Sequence, residues 1–321
     1  ENITKLSGIA QHYPDPDCTK LTKLLSGKYD ISTENILCGN GADDLLYRLV
    51  LSIKPKQALI IEPTFEEYNR ALQLVGCEVR HYQLDFSSQF EFDENVLSEI
   101  SSDMDMIFLC NPNNPTGRLI KPHILNEIIE QCQKRNIILV VDECFIEFIP
   151  GWEQYSVKQA ISSFSNLVVI DAFTKTYSLA GFRIGFCFSN RQYLLSDMKL
   201  QGQSFAVSVP AQYAGICALM DTSYMEKTYL FWAAERDWLY LQLCELGIDV
   251  IPPQANYVLF KTPHKNLRQA LWEQGIKVRD CSRFNGLGPE YCRIAIRPHD
   301  KNIKFIEAMK KLLLYLVVNP L

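Results

Sequence analysis

The feature that most constrains this chain is a regular alternation between Ile36 and Phe188, where short runs rich in branched apolar residues are separated by longer stretches of helical pattern. The runs include Ile36–Cys38, Ala58–Ile61, Val79–Tyr82, Met106–Cys110, Ile137–Val141 and Leu167–Ile170. Strands that alternate with helices pair side by side in the same direction, so the expectation is an α/β domain with a mainly parallel sheet. In such a sheet, ligands gather beyond the carboxyl ends of the strands. Three of the runs lead there into polar residues: Met106–Cys110 into Asn111-Pro-Asn-Asn-Pro-Thr-Gly117, Ile137–Val141 into Asp142, and Leu167–Ile170 into a segment holding Lys175.

From Ser208 to Leu246 the pattern becomes continuously helical, with no glycine between Cys217 and Glu245 and only Asp221-Thr-Ser as a break, which places the connection to a second domain there. After Gly247, the runs Tyr257–Phe260, Ile276–Val278 and Arg293–Ile296 read as strands of a smaller α+β domain. The first 25 residues are expected to pack with it. The expected division is thus a large domain over 26–225 and a small one over 1–25 and 226–321. Internal repeats and low-complexity segments are not visible.

A chain of 321 residues with 47% apolar content is long enough for two sizeable cores. Its formal charge of −5 and its lack of basic runs argue against nucleic acid or an anionic membrane as partner and favour small molecules. Eleven cysteines, scattered from Cys18 to Cys292 with no Cys-x-x-Cys pair, signal neither a disulfide framework nor a zinc cluster, and read as thiols kept in a reducing cytoplasm. Leu312–Val318 is apolar but far short of the roughly 20 residues a membrane span needs, so it is expected to be a core-facing helix end. No signal-peptide pattern is read in a chain that begins at Glu1, and the expected location is cytoplasmic.

Taken singly, the polar residues after the three runs have commonplace explanations. A lysine is usually a solvated charge, an aspartate after a strand usually caps a helix, and Asn-Pro or Thr-Gly pairs mark turns. Their order carries the weight. Lys175 can attach an aldehyde through its amine, Arg183 eight positions on can hold a phosphate dianion, Asp142 can keep a pyridine nitrogen protonated, and Asn114 can bond a ring hydroxyl. Each meets a separate demand of one cofactor, pyridoxal 5'-phosphate. Gly39-Asn-Gly-Ala-Asp-Asp-Leu-Leu46 opens a helix after the Ile36 run, so the backbone N–H groups of Gly41, Ala42 and Asp43 are expected on the phosphate, while the carboxylates of Asp43 and Asp44 cap the helix or turn outward. Thr174 can add a hydroxyl donor. In Glu62-Pro-Thr-Phe65-Glu-Glu-Tyr68, Phe65 is the aromatic expected on the ring, with Tyr68 nearby.

The order Gly-Asn-Gly, Pro-Thr-Phe-x-x-Tyr, Asn-Pro-Thr-Gly, Asp-Glu-x-Phe, Thr-Lys and Gly-Phe-Arg resembles the fold-type I aminotransferases of the histidinol-phosphate branch over nearly the whole chain. Within that branch the chain looks most like the L-threonine-O-3-phosphate decarboxylases of cobalamin synthesis, through Tyr13–Cys18, Glu62–Tyr68, Asp142–Phe148, Val278–Cys281, Phe284–Leu287 and Arg293–Arg297. The resemblance implies Lys175 as the residue that carries the cofactor, Asp142 on its pyridine nitrogen, Asn114 at its ring hydroxyl, Arg183 and Thr174 on its phosphate, and Arg293 on a substrate carboxylate. It also implies a homodimer in which Tyr13 reaches the phosphate of the neighbouring subunit's cofactor. Transaminases of the branch usually carry tyrosine three residues after the aspartate, whereas this chain has Phe145, which matches the decarboxylase pattern. It departs from the family at Ala172, where a phosphate-binding serine or threonine is usual, and at Ser178-Leu-Ala-Gly181, which replaces Ile-Pro-Gly.

Arg279, Arg293 and Arg297 supply more cation than one carboxylate needs, which suggests a substrate that bears phosphate as well. Which bond at the substrate's Cα breaks depends on which substituent the arginines hold out of the ring plane. The expectation is decarboxylation of L-threonine O-3-phosphate to (R)-1-aminopropan-2-yl phosphate, with transamination of the histidinol-phosphate type as the alternative. A non-catalytic domain that senses the cofactor is an alternative of another class, and the chain shows no basic DNA-binding segment to accompany it.

Overall fold

Runs such as Ile107-Phe-Leu and Leu139-Val-Val bury every side chain, which a five-residue strand can do only when both faces of its sheet are covered. In the computed structural model, which describes residues 8, 11–262, 264 and 266–318, seven strands form one sheet. They are β1 (Ile36–Gly39), β2 (Gln57–Glu62), β3 (Glu78–Gln83), β4 (Met106–Cys110), β5 (Ile138–Asp142), β6 (Leu167–Ala172) and β7 (Gly185–Phe188). The order across the sheet is β1-β7-β6-β5-β4-β2-β3. From β3 through β6 all neighbours are parallel, while β7 runs antiparallel to both β6 and β1. The mainly parallel sheet read from the sequence is therefore present.

Helices α1 (Thr19–Tyr29), α2 (Ala42–Ile53), α3 (Glu67–Leu74), α4 (Pro122–Arg135), the single turn α5 (Phe173–Thr176), α6 (Gln192–Leu200), α7 (Val209–Met220) and α8 (Thr222–Glu245) connect and cover it. Alternation along each strand splits the core into two layers. Leu139 and Val141 of β5 face Leu25 and Ile128, whereas Ile138 and Val140 share the other layer with Leu49, Tyr68 and Leu72. Beyond α8, the short strands β8 (Asp249–Val250), β9 (Tyr257–Lys261), β10 (Arg279–Asp280) and β11 (Tyr291–Ala295) form an antiparallel sheet of order β10-β11-β9-β8. Helices α9 (Leu267–Glu273) and α10 (His299–Val318) complete this smaller domain around Phe260, Leu271, Phe305 and Met309.

Three expectations need correction. The N-terminal segment, outside the described residues at 1–7, 9 and 10, does not belong to the small domain from Cys18 onward: Cys18, Leu21 and Leu25 lie in the large core because the apolar face of α1 rests on α7 and β1. The domain boundary at 225/226 falls inside α8, whose Trp232 meets Phe148 edge-on at 5.9 Å while Leu239 and Leu243 enter the small core. The run Ile276–Val278 is not paired: Val278 is buried in the small core, and the ladder begins only at Arg279. The break at Asp221 is real, since its carboxylate accepts the Tyr224 amide at 3.2 Å and starts α8. All eleven cysteines are free, and only Cys217 and Cys244 are exposed. Among the described residues no helix is long and apolar enough to cross a membrane. At the end of α10, Leu312 and Leu313 lean on the small core.

Candidate active site

The chain passes from β1 into α2 through Gly41, at φ +90°, a backbone that side chains with a Cβ rarely adopt. A Cβ at Gly41 would stand 2.5 Å from Arg183 Nη2, so glycine is also what lets the guanidinium approach the start of the helix. The Gly41 amide itself donates to the Gly39 carbonyl at 2.9 Å. This corrects the expectation that it faces a phosphate, because the tight turn consumes that donor. The amides of Ala42 and Asp43 open α2 and have no carbonyl one turn back to bond, and they line one pocket with Thr174 and Arg183. Asp44 serves the loop: it accepts the Asn40 amide at 2.8 Å and Arg48 Nε at 2.9 Å. Asp43 is half-exposed at the edge of the same pocket. It is the carboxylate nearest Arg183, with Oδ2 3.3 Å from Nη2, and burial raises its pKa against the pull of that arginine.

Asp142 ends β5 and Lys175 lies on α5, directly after the neighbouring parallel strand β6, so the sheet brings both to its carboxyl edge. They share a cavity of about 240 Å³ with Phe65, Cys110, Asn114 and Cys144. Asp142 is buried, and its two oxygens are fixed by the Tyr68 hydroxyl at 2.6 Å and the Cys144 amide at 3.0 Å. Tyr68 lies in the core, stacked 5.1 Å from Phe108, with its hydroxyl turned to the carboxylate. Burial first, and then Asp142, pushes the Tyr68 pKa well up, so its hydroxyl keeps the proton it donates.

Cys110 and Cys144, in sequence only two of the scattered thiols, both line the cavity. The signal was their placement, at the last residue of β4 and two residues past Asp142. Burial, followed by the nearby Asp142, raises both thiol pKa values, which leaves them protonated and poor nucleophiles. Lys175 is shifted the opposite way, downward, by burial and then by Arg293. Its amine is therefore the readiest nucleophile in the cavity.

Arg293 on β11 and Arg279 on β10 are opposed in register and line the same cavity. Arg293 donates to Asn114 Oδ1, and its guanidinium lies 4.7 Å from the centroid of the Tyr257 ring. Tyr257 in turn donates to the Asn113 carbonyl at 2.7 Å, and Asn113 is locked by Thr64 and Pro63. Phe145 stands edge-on to Tyr257 at 5.1 Å, with Lys175 Nζ 5.4 Å from its ring centroid. Arg297 is not brought in: β11 ends at Ala295, and Arg297 is exposed on the turn into α10, where its amide bonds Asn302 Oδ1 at 3.0 Å. Tyr13 is 82% exposed and stacked on Phe205 at 4.8 Å, and it does not line the cavity of its own chain.

Behind the cavity lies a group the sequence did not reveal. Lys158, fully buried, places Nζ 2.8 Å from Glu143 and 2.9 Å from Asp171, which ties the ends of β5 and β6 together immediately beside Asp142 and Ala172. Glu143 also accepts Ser156 Oγ at 2.6 Å and the Val157 amide at 2.7 Å. Burial, opposed by Lys158, pushes the Asp171 carboxyl up to about 7.

These residues fit pyridoxal phosphate. The space left by Gly41, the two free helix-start amides, Thr174 and Arg183 would hold its phosphate; Asp142 would hold its ring nitrogen, Asn114 its ring hydroxyl and Lys175 its aldehyde. A model of the family described as aminotransferase class I and II matches residues 4–309. The threonine-phosphate decarboxylase of Salmonella typhimurium is 32% identical over 94% of this chain and 84% of its own length. A histidinol-phosphate aminotransferase of Methanococcus maripaludis is 29% identical over 97% of this chain and 84% of its own. Among solved structures, the histidinol-phosphate aminotransferase from Clostridium acetobutylicum superposes with a TM-score of 0.91 at 29% identity, covering 98% of this chain and 94% of that one. The L-threonine-O-3-phosphate decarboxylase from Porphyromonas gingivalis gives 0.86 at 25% identity over the same shares, 98% and 94%. The chain belongs to the class I and II aminotransferase family, as a pyridoxal-phosphate-dependent enzyme of fold type I.

Proposed function

We propose that this enzyme removes the carboxylate of L-threonine O-3-phosphate and releases (R)-1-aminopropan-2-yl phosphate, in cobalamin synthesis. The observation that carries the reading is the opposed pair Arg279 and Arg293 in the Lys175 cavity. With Arg183 reserved for the cofactor phosphate, two further guanidinium groups suit a substrate with two anionic ends better than a simple amino acid. Phe145, which offers no hydroxyl, and the 32% identity to a threonine-phosphate decarboxylase support the same choice.

When bound, the cofactor supplies an aldehyde for the substrate's amine and a protonated ring that accepts the electron pair freed at Cα. The chain's own residues then decide the outcome. Asp142, held by Tyr68 and the Cys144 amide, keeps the ring proton in place. Arg293, braced by Asn114, orients the carboxylate, and Arg279 receives the phosphate. Lys175, with its lowered pKa, returns a proton to Cα.

The reading includes a cytoplasmic homodimer. Helix α7 is apolar apart from Gln212 and Tyr213, fully buries only Ala211 and Gly215 within its own chain, and Phe182, Phe205 and Met220 are exposed. Apolar surface of that extent is normally covered by a partner. Tyr13, stacked on Phe205, would then reach the neighbouring cofactor's phosphate. The histidinol-phosphate aminotransferase reading is kept by the TM-score of 0.91. Purified protein should release carbon dioxide from L-threonine O-3-phosphate without 2-oxoglutarate. A keto product formed from histidinol phosphate only when 2-oxoglutarate is present would overturn the decarboxylase reading.

A further inference from the structure

A second compartment adjoins the Lys175 cavity on the small domain. It is a solvent-open groove of about 590 Å³ bordered by Arg268, Trp272, Lys277, Arg279, Arg283 and Arg293. Arg279 and Arg293 belong to both spaces, so the guanidinium pair forms a partition with the cavity on one side and the groove on the other. Directly opposed residues of an antiparallel ladder point to the same face, which is why both arginines reach this partition. Arg268 and Trp272 stand four residues apart on α9, one helical turn, so both project to the groove while Leu267 and Leu271 enter the core. Trp272 is 58% exposed, and Lys277 Nζ lies 5.9 Å from its ring centroid.

The charge balance of the groove is one-sided. Five of its residues are cationic, and its single carboxylate, Asp280, is already engaged by Arg268. Four cations are thus gathered without an acidic neighbour in the groove, on a chain whose net charge is −5. Such a local positive basin on an acidic protein draws small anions to one place. The volume is that of a small-molecule site.

We propose that this groove is a second anion-binding site, which captures the phosphate of a phosphorylated amino acid on Lys277 and Arg283 and delivers the molecule across the arginine partition to Lys175. The delivery step rests on the reading that the substrate carries phosphate; the anion site does not. The isolated indole of Trp272 provides a reporter at the groove.

The test uses holoenzyme, in which the cofactor's own phosphate site is filled. Titration with inorganic phosphate at constant ionic strength is expected to change Trp272 fluorescence saturably, a signal that Trp272→Phe removes. The double variant Lys277→Gln/Arg283→Gln, both exposed positions, is expected to weaken phosphate binding at least about tenfold. The same variant should raise KM for the phosphorylated substrate about tenfold, leave kcat unchanged and flatten the dependence of kcat/KM on salt. The charge-preserving Lys277→Arg/Arg283→Lys variant should behave as wild type. Unaltered phosphate binding and KM in the neutral variant would overturn the groove while leaving the decarboxylase reading intact. Loss of phosphate binding in a protein that turns over no phosphorylated amino acid would retain the groove and overturn the substrate reading alone.

Discussion

The Tyr68 hydroxyl reaches Asp142 across 74 positions of sequence at 2.6 Å, and that one bond fixes the carboxylate on which the cofactor's ring proton depends. A hydrogen bond to a charged group contributes about 1.5–3 kcal/mol, so Tyr68→Phe should lower kcat roughly 10- to 100-fold with the fold intact. Steady-state rates alongside circular dichroism check this. A second residue-scale effect lies in Asp171, whose carboxyl is raised by burial from the ordinary aspartate range to about 7. Between those limits the folded chain holds a proton that the unfolded chain has released, so its contribution is full below about pH 4 and is lost as pH rises to about 7, at no more than about 1.4 kcal/mol per pH unit. The difference in urea midpoint between wild type and Asp171→Asn should move in favour of the variant as pH rises across that window. That Lys175, Asp142, Asn114 and Arg183 gather in one cavity was foreshadowed in the sequence, because each belongs to an ordered motif and three of them follow a strand-like run. Tyr68 as a carboxylate partner and Lys158 as a buried ammonium were not, because their roles come from residues packed against them from distant parts of the chain.

At the scale of elements, the junction of β1 with α2 is the least replaceable. Gly41→Ala would combine a strained backbone at φ +90° with a Cβ 2.5 Å from Arg183. Cofactor affinity should fall at least about a hundredfold, a loss of about 2.7 kcal/mol, while helix content stays unchanged; equilibrium titration of the apoprotein followed at the cofactor's absorbance measures it. Buried strands were readable where apolar residues run without interruption, as in β4 and β5. The two-residue strands β8 and β10 were not, since a pairing that short leaves no periodicity. Val278 shows the other limit: its apolar character reported burial correctly, but burial there comes from the small core and not from a ladder.

For the molecule as a whole, the proposed homodimer makes the exposed end of α7 the place to intervene. Met220 is 70% exposed there, so Met220→Glu should cost the single chain little, within about 0.5 kcal/mol, yet put a charge where an apolar partner is expected. Sedimentation should show twice the chain mass for the wild type and a shift toward the single-chain mass in the variant. Helix α8 sets a different limit on how the molecule can be taken apart. Its 24 residues run about 36 Å, with one flank against Phe148 and the other supplying Leu239 and Leu243 to the small core. The two lobes are consequently built on a common beam. A gene fragment cut at residue 225 would surrender a shared wall of both interiors, so each half is expected to be less stable alone than within the whole chain.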